Sequence, residues 1–491
     1  MAVAADDPHT LPEVLAGQAA LRPGQVALRF DAQAITYAQL AARVDRAAGV
    51  LAQDWHVRAG DRVAWLGLNH PAHLVLLFAL ARLGAALLPV NVRLAAAEWD
   101  SLLQSVGPVH LVHDAAFAQA ATALAGRAGI AAHAAAALDG PERASTAGAA
   151  SPDAAALLVQ TSGTTGGPRV AVHTQAQLLA NLRVAAQVQA ITPADRVLTV
   201  LPLFHVGGLC IQTLPALSAG ATVLLHPRFT PEATFDALAA ERPSLTLQVP
   251  ATMKALVDHP RWNGADLRCL RAVWAGSSLL PAPLLEAFHA RGIPVCNVYG
   301  ATETGPFSIA LGPDHAVDHM GSCGWPAPGV EVRLHGEPGH EAGEVWLRGP
   351  NVVRRYWPDL AAVDAEGWFH TGDLATCAHD GSYTIVGRAR DLVISGGENI
   401  HPAEIEAALA LHPDVLECAA FGVPDPRWGE TVAVAVVLRE GASASDDALR
   451  EHLTARLARY KLPRRWLRVN ALPKTALGKV QRGALAGLVG R

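Results

Sequence analysis

Between residues 60 and 300 the chain repeats one pattern: a short aliphatic or β-branched run, a break, then a longer Ala/Leu-rich stretch. The runs 62–66, 156–160, 196–200, 221–225, 244–249, 271–274 and 295–298 predict strands. The stretches near 74–84, 175–189, 231–241, 251–258 and 282–291 predict helices. Strands that read as near-continuous apolar runs and alternate with helices imply largely parallel sheets with crossover helices, an α/β architecture. After residue 320 glycine and proline become frequent, and the short alternating segments 331–334, 344–347 and 383–386 predict an antiparallel, partly barrel-like section. From Gly387 the pattern changes again: a helix over 402–411, strands over 415–423 and 431–438, a helix over 446–459 and a basic tail. That is a small α+β unit of roughly a hundred residues, the size of an independent domain. The Ala-rich stretch 114–150 is helix-prone and reads as a variable surface excursion.

Composition narrows the function classes. The chain has 491 residues, 51% hydrophobic and 17% charged, which excludes disorder for most of its length. Its 39 Lys+Arg against 44 Asp+Glu leave a net charge of -5, no excess with which to grip nucleic acid or an anionic membrane. The most apolar stretch, 74–90, carries Arg82, Gly84 and Pro89 and falls short of the ~20 apolar residues of a spanning helix; it reads as a buried helix running into a strand. Residues 1–10 lack the basic and apolar regions of a secretory signal, so a cytoplasmic location is expected. The six cysteines are scattered, with no CxxC pair, and read as small core residues rather than a zinc site or a disulfide framework.

The strongest chemical signal is a strand running into Thr161-Ser162-Gly163-Thr164-Thr165-Gly166-Gly167-Pro168-Arg169. Small hydroxyl and glycine residues let backbone N–H groups wrap a polyphosphate while the hydroxyls add donors. It is not a Walker A loop, because no Gly-Lys-Ser/Thr follows at the required spacing. The segment resembles the phosphate-binding loop of the adenylate-forming superfamily: acyl- and aryl-CoA synthetases, peptide-synthetase adenylation domains and luciferases. Five further segments match in that family's order. They are Pro202-Leu203-Phe204-His205-Val206-Gly207-Gly208, Asn297-Val298-Tyr299-Gly300-Ala301-Thr302-Glu303, Gly367-Trp368-Phe369-His370-Thr371-Gly372-Asp373, the run from Gly387 to Ile400, and Leu472-Pro473-Lys474-Thr475-Ala476-Leu477-Gly478-Lys479.

The resemblance implies a large N-terminal domain over 1–388, holding AMP and the acyl group, and a small mobile C-terminal lid over 389–491 hinged at Arg390. It implies ATP, Mg²⁺ and CoA as cofactors, with Thr161, Ser162, Gly163, Thr164, Thr165 and Gly166 on the phosphates. Asn297 and Tyr299 would wall the adenine, Thr302 would contact the α-phosphate, and Glu303 would hold the metal. Asp373 would accept the ribose hydroxyls, and Arg388 would contact ribose or phosphate. Gly396 and Gly397 would let a pantetheine arm pass, and Lys479 would be the catalytic lysine. His205, Val206, Gly207 and Ser277 would line the acyl pocket, with His205 as a gate. Trp368 and Phe369 are expected to pack in the core. The chain departs from the pattern twice: Arg169 stands where relatives carry lysine, and Arg390 where Asp or Lys is usual.

The expected activity is that of an AMP-forming acyl-CoA synthetase. His205 in place of the aspartate that pairs an α-ammonium disfavours amino acids, since an unpaired buried ammonium is costly. Val298 occupies the place of an arginine found in malonate-activating relatives, and no lysine or arginine stands in 204–209, 274–281 or 298–307. An apolar aliphatic or aryl monocarboxylate is therefore expected. Succinylbenzoate-CoA ligation, loading of a carrier protein and silent adenylate binding are the alternatives; a homodimer is left open.

Overall fold

The computed structural model describes residues 8–141, 150–161, 169–276, 280–336, 342–395, 398–425, 429–475 and 479–489. Ser162, Gly163, Thr164, Thr165, Gly166, Ser277, Gly396 and Gly397 lie outside the described residues.

The apolar runs form the parallel heart of a nine-stranded sheet: Val295–Tyr299, Ala272–Gly276, Leu245–Gln248, Arg196–Thr199 and Thr222–Leu225 lie side by side, with Val26–Phe30 parallel beyond them. Strands covered on both faces need apolar residues throughout, and Thr222–Leu225, Leu245–Gln248 and Ala272–Gly276 are buried along their whole length. An eight-stranded mixed sheet contains Ala155–Thr161, Ala86–Val90, Arg62–Leu66 and His110–His113. One core joins side chains of both sheets to helices Pro71–Leu83 and Gln175–Val188. The first helix explains the 74–90 stretch: His70 caps it, Pro71 opens it, Gly84 at φ 71° ends it, and the chain passes into the buried strand Ala86–Val90.

The 114–150 expectation is corrected. Ala118–Ala128 is a helix whose Leu124 and Ala125 are buried, and Ala131–Ala134 adds an edge strand to the eight-stranded sheet. Alanine-rich composition hides this, because small side chains still pack a helix onto a sheet. Residues 142–149 lie outside the described set.

Glu331–His335, Gly343–Arg348, Phe369–Cys377 and Tyr383–Arg388 make a four-stranded antiparallel sheet. Trp368 and Phe369 are buried as expected. The last strand ends at Arg388, a short 3-10 turn covers Ala389–Asp391, and Val393–Ser395 begins a five-stranded sheet. Its long strands Val415–Asp425 and Gly429–Leu438 carry helices Pro402–Ala410 and Asp446–Thr454 in one core and helix Arg482–Val489 in another. The helix expected over 446–459 stops at Thr454: Ala455 caps it, and by Ala458 the chain is extended at ψ 147° before a 3-10 turn over Arg459–Lys461. Among the cysteines, Cys210, Cys296 and Cys323 are core residues, but Cys377 is exposed.

Candidate active site

The strand Val295–Tyr299 has a parallel neighbour, Ala272–Gly276, on one side and an antiparallel one, Ile309–Leu311, on the other. At its carboxyl end Thr302–Thr304 forms a 3-10 turn. Such an end, where the sheet changes sense, is a crevice suited to a ligand. Gly300 is obligatory there: a Cβ would lie 1.7 Å from the Pro306 carbonyl oxygen. Buried asparagines hold the turn. Asn351 Nδ2 donates to the Thr304 carbonyl at 2.5 Å, and Asn181 Oδ1 accepts from the Phe307 amide at 3.1 Å. The Val353 amide donates to the Glu303 carbonyl at 2.8 Å.

The Glu303 carboxylate accepts from the Tyr356 hydroxyl at 2.9 Å. Burial raises its pKa, opposed by its own amide, Tyr356, Lys479 and Arg388. A carboxylate has about four acceptor positions, so these contacts leave lone pairs over. Among the described residues no group of three or more His, Cys, Asp or Glu could cage a metal. A single carboxylate oxygen donor fits Mg²⁺, which takes one or two carboxylates together with substrate phosphates.

Asp373, nearly buried, accepts from the Tyr299 hydroxyl on Oδ2 at 2.9 Å and pairs with Arg388 Nε on Oδ1 at 2.8 Å. The strand register places it directly opposite Arg388. Asn297 spends its side-chain N–H on the Ser322 carbonyl at 3.0 Å, pinning the loop that flanks Tyr299. The buried Thr161 faces Arg169 across an antiparallel pair.

His205 precedes the turn Val206–Gly208. Asn69 fixes the approach: its Oδ1 accepts from the Leu203 amide at 2.8 Å, and its Nδ2 donates to Leu201 and His226 carbonyls, both at 3.0 Å. Burial first, then the charges of Arg93 and Lys479, lower the His205 pKa to about 3, so the imidazole is neutral. A Cβ on Gly207 would meet nothing within 4 Å, whereas one on Gly208 would lie 2.3 Å from the Pro202 carbonyl oxygen.

Lys479 arrives from the other domain. Its loop is closed by the Thr475 amide donating to the Lys479 carbonyl at 2.7 Å and by a bridge between Lys474 and Val480. The residue as a whole stays exposed, yet its ammonium comes near enough to Arg388, Asp373 and Glu303 to feel their charges. There burial and Arg388 hold its pKa below the ordinary lysine value, against the opposing pull of Asp373 and Glu303. The tertiary structure thus brings Glu303, Asp373 and Arg388 within electrostatic reach of Lys479, and Lys479 within that of His205. Arg390 lies exposed in the connecting turn, 3.7 Å from Asp391.

The chain as a whole matches known proteins. The family model of the AMP-binding enzyme matches residues 15–357, and that of its C-terminal domain 404–479. The chain belongs to the AMP-binding enzymes. It is 42% identical to an indoleacetate–CoA ligase of Aromatoleum aromaticum, over 98% of each chain. It is 40% identical to a feruloyl-CoA synthase of an Amycolatopsis species, over 95% of this chain and 96% of the other. The o-succinylbenzoate CoA synthetase of Bacillus subtilis, solved with its acyl-adenylate, superposes with a TM-score of 0.88 at 30% identity, covering 96% of this chain and 98% of that one. The same synthetase has been solved with ATP and magnesium ion. Among the described residues of this AMP-binding enzyme no helix is long and apolar enough to cross a membrane.

Sequence reasoning missed Tyr356, Asn69, Asn181, Asn351 and Arg93. Tyr356 follows two arginines with no periodic context, and buried asparagines carry no pattern; only the backbone groups they satisfy reveal them.

Proposed function

We propose that this chain is an AMP-forming carboxylate–CoA ligase acting on an aryl or other apolar monocarboxylate. The observation that carries the reading is the Tyr299–Asp373–Arg388 and Tyr356–Glu303 contacts, with the Lys479 charge felt by Asp373 and Glu303. Asp373 and Tyr299 take the ribose and adenine side, and Thr161 with the segment 162–166 takes the phosphates. Glu303 would hold magnesium, which when bound draws charge from the phosphates. The substrate carboxylate oxygen attacks the α-phosphorus and the bond to pyrophosphate breaks. Lys479 stabilises the charge that builds on the α-phosphoryl oxygens, a fixed donor aimed at the transition state. The CoA sulfur then attacks the acyl carbon, its proton goes to solvent, and AMP leaves.

Lys479 in the cleft corresponds to the first half-reaction. The second requires a rotation, for which we place the division at 388/389 with Arg390 as hinge and Gly396 and Gly397 on the thiol path. Ala389 and Arg390 are exposed and can absorb a φ/ψ change, a role that tolerates arginine. The neutral His205 beside open space at Gly207 suits an uncharged acyl body, as do the aryl acids named for the indoleacetate and feruloyl relatives. A cytoplasmic location, with ATP and CoA at hand, accompanies this reading.

Carboxylate-dependent ATP–pyrophosphate exchange over short, long and aromatic acids, repeated with CoA while AMP release is followed, tests it. Exchange with an aryl acid and CoA-dependent AMP release support the proposal. Turnover of malonate at rates matching an aromatic acid overturns the monocarboxylate assignment, and exchange indifferent to CoA points to a carrier-protein acceptor. A second reading rests on Arg93, an exposed cation whose charge is felt at His205. A distal carboxylate, as in succinylbenzoate, would meet it there; Arg93→Ala would then lower turnover of the dicarboxylate and spare aryl monocarboxylates.

A further inference from the structure

Arg169 interrupts the family pattern, and its surroundings give it a use. The Tyr356 pair partner is Ala171, two residues along the same strand, so Arg169, Ala171 and Tyr356 share one face of the sheet. The guanidinium lies over the Tyr356 ring, with Cζ 5.2 Å from the centroid. Tyr356 is buried, and its hydroxyl donates to Glu303 Oε1 at 2.9 Å. The direction of this chain is fixed by chemistry. A carboxylate only accepts, so the hydroxyl donates to Glu303 and keeps its lone pairs for a donor, the only role a guanidinium can take. An ammonium could donate too, but it has no plane to lay on the ring. The main chain closes the arrangement, since the Val353 amide holds the Glu303 carbonyl and the Trp357 amide holds the Val170 carbonyl, both at 2.8 Å.

We infer that Arg169 and Tyr356 are positioning residues for Glu303: the arginine fixes the tyrosine, and the tyrosine fixes the carboxylate that would hold the magnesium of ATP. The inference rests on the adenylation reading. It assigns Arg169 to the metal carboxylate rather than to direct contact with the phosphates.

The test is ATP binding by calorimetry, with Mg²⁺ and separately in EDTA, for the unmodified protein, Tyr356→Phe, Arg169→Ala, Arg169→Lys and the Tyr356→Phe/Arg169→Ala double variant. Phenylalanine keeps the ring, so the local packing survives, and thermal melting of each variant checks this. With Mg²⁺, Tyr356→Phe and Arg169→Ala should each weaken binding by about tenfold, the scale of a hydrogen bond to a charged group. The double variant should be no weaker than the worse single, and lysine should not restore affinity. In EDTA all should bind alike. Loss of affinity in EDTA for Arg169→Ala, or full additivity in the double variant, means that Arg169 acts on the phosphates and overturns the inference. An unaffected Tyr356→Phe does so as well. Failure of the unmodified protein to bind ATP under either condition overturns the adenylation reading itself, an outcome distinct from the others.

Discussion

Gly207 and Gly208 stand side by side in the turn after His205 under opposite constraints. A methyl on Gly207 enters open space, while one on Gly208 strikes the Pro202 carbonyl oxygen. Gly208→Ala should therefore cost about 2 kcal/mol, the scale of overpacking a closed site, and lower the melting temperature; Gly207→Ala should leave it unchanged. Gly207→Leu should reduce kcat/KM for bulky aryl acids and leave the KM for ATP alone. A loss shared by small acids would show that Gly207 does not face the acyl group. For Lys479→Ala, adenylation should fall by about a thousandfold, the scale of one preorganised donor, while thioester formation from pre-made acyl-AMP persists. Equal loss of both would remove the alternation of half-reactions. The pH sign follows from burial. A lysine whose pKa is lowered loses its proton earlier as pH rises, so adenylation should decline on an alkaline limb below the ordinary lysine value. Lys479→Arg should push that limb upward, and pH–rate profiles of the two half-reactions check both statements.

The element that carries Lys479 is anchored three residues later. Arg482 Nη2 donates to both Glu406 oxygens at 2.7 and 3.0 Å, Nη1 to Asp391 Oδ2 at 3.1 Å, and Nε to the Ala420 carbonyl at 3.0 Å. It thereby joins the helix Arg482–Val489, the helix Pro402–Ala410 and the turn Ala389–Asp391. Removing one member of a largely buried pair strands the others, so Arg482→Ala should destabilise the protein by about 3 kcal/mol. It should also lower adenylation more than thioester formation, because the lysine loop loses its footing. Melting curves and the two half-reactions separate this from a purely structural role, in which both halves would fall together. At this scale periodicity served well where one face or both were apolar: helices such as Gln175–Val188, opened by Thr174 and Gln177, were legible from their caps and period. It failed at the hairpin Val26–Phe30 to Gln33–Thr36, whose turn places Asp31 at φ 50° without glycine to mark it.

Across the whole molecule, burial makes acid the weak direction. His73 and His173 are buried with their pKa lowered by desolvation from 6.5 to about 3 and about 4. The unfolded chain takes up these protons first as pH falls below 6.5, so folding stability should decline from there toward pH 4. The melting temperature against pH should show it, and His73→Leu should make the decline shallower; an unchanged slope would clear this histidine of the effect. The α/β alternation and the order of the motifs were written in the sequence, because hydrophobic period and loop chemistry are local properties. Which residues share a site was decided only in three dimensions. Glu303, Asp373 and Lys479 come together because a strand end, an antiparallel sheet and a loop of the small domain meet, and Tyr356 enters through its pairing with Ala171. Contacts between residues so distant along the chain leave no periodic trace, since they arise from packing and from the need to satisfy buried polar groups.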